Sequence, residues 1–306
     1  MSRKLVIILG PTAVGKTDYS IDLALKYGSP VISCDSRQIY KEMTIGTAVP
    51  SAEQLAAVQH YFIHSHTVEQ LYTAGKYELE ALELINRLFD EEGHETLVMA
   101  GGSGFYVDAL VNGLDDFPAA DLQLRAELTT RLQEEGVESL RLELQKLDPE
   151  SYLVIDIANG QRVVRALEVC LMTGKPFSSF KTEPRKKRDF EIEKIGLTRP
   201  REVLYDRCNR RVFQMIDDGL VEEVRSLTEY RDLAALQTVG YKEIFDWFDY
   251  LDGKVSTEGW TPTTPGDGPV TTLDRAIELI QRNTRHYAKR QLAYWRRDKD
   301  IRWIEL

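Results

Sequence analysis

The stretch LVIILGPTAVGKT, residues 5–17, decides the fold. Residues 5–9 form an unbroken apolar run rich in β-branched side chains, the pattern of a strand buried on both faces of a parallel sheet. Gly10 to Thr17 then matches G-x-x-x-x-G-K-[ST], and an amphipathic helical pattern follows, with Ile21, Ala24 and Leu25 on one face and Gly28 ending it. In that context the loop Gly10, Pro11, Thr12, Ala13, Val14 and Gly15 is expected to bind diphosphate: its glycines let backbone N–H groups turn inward around phosphate oxygens, and the helix N-terminus adds its dipole. Lys16 is placed to neutralise the terminal phosphate, and the Thr17 hydroxyl is a natural Mg2+ ligand. The motif defines a phosphate site and leaves open which phosphate compound occupies it.

A second strand, Val31-Ile32-Ser33, follows Pro30 and stops at Asp35. Helical spacing covers about 74–92, and a third strand, Thr96 to Ala100, runs into Gly101-Gly102-Ser103-Gly104. Alternating strands and helices indicate an α/β fold, a P-loop doubly wound parallel sheet. After Asn112-Gly113 the pattern is helical only, from Leu122 to about Thr173. Leu124, Leu128 and Leu132 share a face in a first helix, Val137 to Leu147 form a second, and Val163, Leu167, Cys170 and Leu171 point inward from a third. Glu191 to Leu197 returns to strand character, so residues 1–115 and 186–306 are expected to form the P-loop core with C-terminal helices. Residues 116–185 are expected to be an all-helical insertion. Helices are expected at about 200–219, 220–229 and 273–297, and Gly253 to Pro269, rich in Gly, Thr and Pro, reads as an exposed loop.

With 306 residues, 42% hydrophobic and 29% charged, the chain has the balance of a globular protein with one large and one smaller domain. Leu5 to Leu9 is too short to span a bilayer and leads into the phosphate motif rather than a signal-peptide cleavage site. Cys34, Cys170 and Cys208 are scattered and fit no disulfide framework or metal spacing, so a cytoplasmic location is expected. The net charge of −10 disfavours nucleic-acid binding by the molecule as a whole. Local charge runs the other way: Arg282, Arg285, Lys289, Arg290, Arg296, Arg297, Lys299 and Arg302 crowd the C-terminal stretch, and Arg185 to Arg188 form a second basic knot.

Asp35, at the carboxyl end of a strand, stands where open parallel sheets hold ligands, and could bind Mg2+, orient a nucleophile or act as a general base. Asp35-Ser36 could equally cap a helix. The third strand ends without an aspartate, so the usual Walker B metal ligand is missing there. Arg207 and Arg211, four apart on a helix, could reach one anion together. Arg162 and Arg165 read either as a solvated helix face or as a functional pair. His60 and His64 share helical spacing but lack a third ligand, so a packing or surface role is expected rather than zinc. Basic and aromatic residues interleave in Thr284 to Gln291 and Tyr294 to Arg297, which suits RNA. They also suit a terminal helix docking through Tyr287, Leu292 and Trp295, and both roles can hold at once.

Taken together, GPTAVGKT (10–17), DSRQIY (35–40), GTAVP (46–50), AGGSGFY (100–106), NGQRVVRALEV (159–169), GLVEEV (219–224), TVGYKE (238–243) and YAKRQLAYWRRD (287–298) resemble the tRNA dimethylallyltransferase family, in order and almost end to end. The resemblance implies transfer of a dimethylallyl group from dimethylallyl diphosphate to N6 of adenosine 37 in tRNA. It implies a diphosphate held by Gly10 to Thr17 with Arg207 and Arg211, Mg2+ near Thr17, and Asp35 as general base. Asp35, Ser36, Arg37, Gln38 and Ser103, with Gln161, Arg162, Val163, Val164 and Arg165, match tRNA-contacting positions, and the insertion would clamp the anticodon stem-loop. No nucleoside triphosphate is then hydrolysed, which accounts for the missing Walker B carboxylate. Arg37 stands where methionine is frequent, Ser103 replaces the commoner threonine, and the Gly253 to Pro269 loop is longer than usual. No Cys or His pair follows Leu292, so a bacterial-type, unfused enzyme without the eukaryotic zinc finger is expected, acting as a monomer without a membrane partner. A P-loop kinase of a small metabolite is the alternative, and a nucleotide-gated RNA-binding module a third reading.

Overall fold

A computed structural model describes residues 3–115, 117–181, 186–255 and 268–306. Strand β1 (Lys4–Leu9) sits at the middle of a parallel sheet with β2 (Val31–Ser33), β3 (His60–Tyr61), β4 (Thr96–Ala100), β5 (Glu191–Thr198) and β6 (Ile301–Glu305), in the order β3-β2-β4-β1-β5-β6. Parallel neighbours need long crossovers, which put helices on both faces and explain why β1 has no polar alternation. The side chains of β1 still divide by the pleat. Val6 and Ile8 pack with Ile21 and Ala24 of α1 (Lys16–Tyr27), with Cys208 of α9 (Arg201–Asp217) and with Ala288 of α12 (Leu273–Trp295). Leu5, Ile7 and Leu9 face Tyr77, Ala81, Ile85 and Leu88 of α3 (Ala74–Asp90).

This core comprises Met1–Val111 and Lys187–Leu306 as one compact unit, and also carries α2 (Ala52–Ala57), α4 (Gly104–Asn112), α10 (Leu220–Ser226) and α11 (Tyr241–Leu251). The second unit, Asn112–Lys186, holds α5 (Leu122–Glu135), α6 (Val137–Leu147), α7 (Pro149–Val154) and α8 (Gly160–Thr173) around Leu128, Leu140, Leu144, Val163 and Leu167. Its third helix, α7, is short: Asp148 caps it by accepting from Ser151 N–H at 3.0 Å, and Pro149 supplies a preset first turn. Within this unit Glu168 is fully buried and collects Arg125, Arg165 and the Asp121 N–H.

Several sequence expectations change. Leu25 and Leu171 are exposed, because the apolar stripes of α1 and α8 close on Ile21 and Ala24 and on Val163, Leu167 and Cys170. No helix follows Asp35: its Oδ1 accepts from Arg37 N–H at 2.9 Å and Gln38 N–H at 3.3 Å, which makes a turn rather than a helix cap. Helix α12 docks through Ala288 and Trp295, while Tyr287 stays 37% exposed. Arg188 pairs with Glu78 at 2.9 Å and is nearly buried, so it belongs to the core rather than to a basic patch. Arg185 and residues 256–267 of the Gly253 to Pro269 loop lie outside the described residues.

Candidate active site

The carboxyl ends of β1, β2 and β4 lead into three turns that meet at one cavity of about 1230 Å3. Thr12, Ala13, Gly15, Lys16 and Thr17 line it from the first turn, and Asp35, Ser36, Arg37 and Gln38 from the second. Arg207 and Arg211 line it from α9.

The loop after β1 is held from behind and from above. Gly15 lies at φ 112, a region that only glycine adopts cheaply, and Ala13 at φ 63 takes a left-handed conformation that costs about 1–2 kcal/mol. Side chains from distant elements hold that shape. Arg207 Nε donates to Ala13 O at 2.7 Å, Arg211 Nη1 to Thr12 Oγ1 at 3.1 Å, and Arg199 Nε to Val14 O at 2.7 Å. Lys16 Nζ folds over the turn onto the carbonyls of Gly10, at 3.0 Å, and Pro11, at 2.8 Å. Burial pushes the Lys16 ammonium down to about 8, against the opposing pull of the Asp35 carboxylate, and Arg211 adds to the depression. Burial also lowers Arg211, with Arg207 beside it. Three cations are thus crowded at one end of a cavity with Asp35 as the near carboxylate, and an anion of more than one charge would relieve them. Gly10, Pro11 and Val14, expected to bind diphosphate, do not reach the cavity wall; they are buried and contribute the framework of the turn.

Asp35 spends one carboxylate oxygen on its own turn, and its Oδ2 takes no hydrogen bond among the described residues. Ser103, from the turn after β4, holds this segment: its Oγ accepts from Ser36 N–H at 2.9 Å and donates to Ser36 Oγ at 3.0 Å. The Gln38 amide donates to Thr47 O at 3.2 Å and Ala48 O at 2.9 Å, so it props the opposite wall of the cavity. Ser103 itself does not line the cavity.

On α8 of the helical unit, Gln161 and Arg162 are exposed. Val163 and Val164 are 0% and 5% exposed, so their side chains are core and cannot serve the RNA contact expected of them. Arg165 donates to Pro118 O at 2.9 Å and pairs with buried Glu168 at 3.1 Å, a structural engagement. His60 and His64 do not share a ligand: His64 meets Thr44 Oγ1 at 3.2 Å, and His60 Nδ1 contacts Val58 O at 2.7 Å. Among the described residues no group of three metal-binding side chains occurs, and no helix is long and apolar enough to cross a membrane.

Three contributors escape sequence reading: Arg199, Glu223 and Gln291. Glu223 accepts from the N–H groups of Thr44, Ile45 and Gly46 and from the Tyr241 hydroxyl, which fixes the loop leading into the Thr47 to Pro50 wall. The segments GLVEEV and YAKRQLAYWRRD carry Glu223 and Gln291, but nothing local in them announces a partner 100 or more residues away.

A P-loop topped by two arginines, sharing a cavity with a strand-end carboxylate and lacking an acid after β4, defines an α/β phosphate-handling enzyme of the transferase kind. A family model described as IPP transferase matches residues 38–298. The tRNA dimethylallyltransferase 1 of Bacteroides thetaiotaomicron is 46% identical over 300 residues, 98% of this chain and 91% of that protein. Among solved structures, the tRNA isopentenylpyrophosphate transferase of Bacillus halodurans aligns with a TM-score of 0.67 at 37% identity, covering 99% of this chain and 90% of that one. The corresponding enzyme of Staphylococcus epidermidis aligns at 0.63 and 29% identity, covering 99% and 93%. This chain belongs to the IPP transferase family, the tRNA dimethylallyltransferases. The metabolite-kinase reading has no support among these relatives.

Proposed function

We propose that the cavity transfers a dimethylallyl group from dimethylallyl diphosphate to N6 of adenosine 37 in tRNA, releasing diphosphate, with Asp35 as general base. The observation that carries this reading is the pairing in one cavity of a free Asp35 Oδ2 with Lys16, Arg207 and Arg211. The cations suit a departing diphosphate, and the carboxylate suits an amine that must shed a proton. In the step, the N6 lone pair forms a bond to the allylic carbon as the carbon–oxygen bond breaks. The electron pair leaves with the diphosphate, held by the N–H groups of the P-loop, Lys16 and the arginines, and the N6 proton passes to Asp35.

Mg2+ fits the donor set. Thr17 presents a hydroxyl to the cavity that makes no protein hydrogen bond among the described residues, and the diphosphate itself would supply further oxygens, leaving Asp35 Oδ2 free to act as the base. Mg2+ keeps several waters and is commonly held by one or two protein oxygens plus substrate phosphates, so few protein ligands suffice. When bound it would neutralise charge on the diphosphate.

The adenine must leave its stack to reach Asp35. Ser36, Arg37 and Gln38 line the approach, and Gln161 and Arg162 of the helical unit offer exposed polar contacts for the anticodon stem-loop, which that unit would clamp. A monomer acting in the cytoplasm completes the reading. The test incubates the protein with Mg2+, dimethylallyl diphosphate and unmodified tRNA, then resolves the nucleosides by mass. Isopentenylated adenosine is expected; ATP turnover on a small acceptor with unmodified tRNA would reject the reading.

A further inference from the structure

The Asp35 turn follows β2 and the phosphate loop follows β1, and β4 lies between the two strands. Transfer requires the allylic carbon, carried by the diphosphate, and the N6 amine, carried to Asp35, to be held in line about 3–3.5 Å apart, and a misplacement of about 1 Å is enough to cost about 100-fold. The sheet alone does not set that distance, because each loop extends beyond its strand.

Gln291 of α12 lies in the gap. It is 7% exposed, and both ends of its amide are engaged with backbone. Its Oε1 accepts from Thr12 N–H at 2.8 Å, and its Nε2 donates to Gly102 O at 3.0 Å. The glycines of the β4 turn are shaped by this arrangement. A Cβ on Gly102 would overlap Gln291 Nε2, and one on Gly101 would come within 2.6 Å of Cys34, the residue before the base. The next residue, Ser103, then holds Ser36 through its Oγ. An unbroken line therefore runs from Thr12 N–H through Gln291, Gly102 and Ser103 to Ser36 and Asp35. Gln291 is itself rooted, because Ala288 and Trp295, on either side of it along α12, are buried in the core.

We infer that Gln291 is a positioning residue that sets the distance between the diphosphate in the P-loop and the base at Asp35, using the Gly102–Ser103 turn as its spacer. The inference rests on Asp35 as the base and on the P-loop as the diphosphate site. Gln291 acts by fixing two loops to one another, so its loss should lower the rate of transfer in the assembled complex more than it weakens either substrate.

The experiment measures single-turnover transfer at saturating dimethylallyl diphosphate and tRNA, with Kd for each substrate and thermal melting, for wild type, Gln291→Met, Gly102→Ala and the double variant. Gln291→Met removes both hydrogen bonds at similar volume, and Gly102→Ala breaks the same link from the other side by displacing the amide. Each single variant is expected to transfer about 10- to 100-fold more slowly, with donor and tRNA Kd changed less than about 3-fold. The double variant should be no slower than the worse single, because both changes cut one link. Folded variants with wild-type rates, additive losses, or losses confined to Kd overturn the inference. If Gln291→Met does not fold, Gly102→Ala decides alone. Asp35→Asn in the same assay separates the claims: an active Asp35→Asn defeats the base assignment. Full rates in the Gln291 variants beside an inactive Asp35→Asn defeat only the positioning role.

Discussion

Glu223 Oε2 accepts from the Ile45 N–H at 2.7 Å, across 178 residues of sequence. The same carboxylate takes Thr44 N–H at 3.0 Å, Gly46 N–H at 3.0 Å and the Tyr241 hydroxyl at 2.6 Å. Hydrogen bonds to a charged group contribute about 1.5–3 kcal/mol each, and here solvent reaches part of the loop, so Glu223→Ala should cost about 3 kcal/mol in all. A melting curve should show a fall of several degrees, together with a raised KM for the donor as the Thr44 to Pro50 wall relaxes. An unchanged melting temperature would show that the loop holds itself.

Lys16 predicts a pH dependence. Its ammonium titrates near about 8 in the folded protein against the ordinary 10.5, so the unfolded chain binds the extra proton between these values. Burial of Lys16 therefore opposes folding below pH 8, and that cost shrinks as the pH rises from 8 to 10.5. Donor binding has the opposite sign, since a diphosphate needs the charged ammonium. KM for dimethylallyl diphosphate should be flat below pH 8 and rise by up to about tenfold per unit above it. Lys16→Met should have a high KM without that upturn, measured by initial rates across pH 6.5–9.5, a window chosen to bracket the about 8 of Lys16.

Arg211 makes a single polar contact with the P-loop, Thr12 Oγ1, while the Nε of Arg207 is committed to Ala13 O. Arg211→Ala should raise the donor KM about tenfold or more and lower kcat by up to about a hundredfold, because charge on the departing diphosphate loses its partner. The KM for tRNA should stay near wild type. Arg207→Ala should also lower thermal stability, since it leaves a strained turn without its brace.

Two changes on one helix should separate structure from recognition. Glu168 is buried with the partly exposed Arg125 and Arg165 around it, so Glu168→Ala should cost about 1–3 kcal/mol and loosen the helical unit, visible as lost hydrogen-exchange protection over α5 and α8. Arg162→Ala should leave melting unchanged and reduce the salt slope of tRNA binding by about one. An unchanged slope would return Arg162 to a solvated face.

The P-loop is legible because eight contiguous residues carry both its shape and its chemistry, and β1, β2 and β4 are legible because buried parallel strands are plain apolar runs. Strand β3 is only His60–Tyr61, too short for any period, and takes its identity from pairing with Val31 and Ile32. Strand β6 did carry a signal, Ile301 and Trp303 in alternation, masked by the basic run before it. Helix α11 likewise repeats Ile244, Phe245 and Phe248 at helical spacing. At the site, Asp35 could be picked out by its place at a strand end, whereas Val163 and Val164 look like part of a motif and are core. Glu223, Arg199 and Gln291 act on backbone groups far away in sequence, and only the folded chain shows which carbonyl or N–H each one meets.

The most direct test of the central claim is transfer by Asp35→Asn, a nearly isosteric change at a residue whose Oδ1 contacts can be kept by the amide oxygen. With saturating dimethylallyl diphosphate, Mg2+ and unmodified tRNA, isopentenylated adenosine should form at least about 100-fold more slowly, within the range of a lost general base, while tRNA Kd stays within about 3-fold of wild type. A near-normal rate, or a loss of binding equal to the loss of rate, would contradict the assignment of Asp35 as the base.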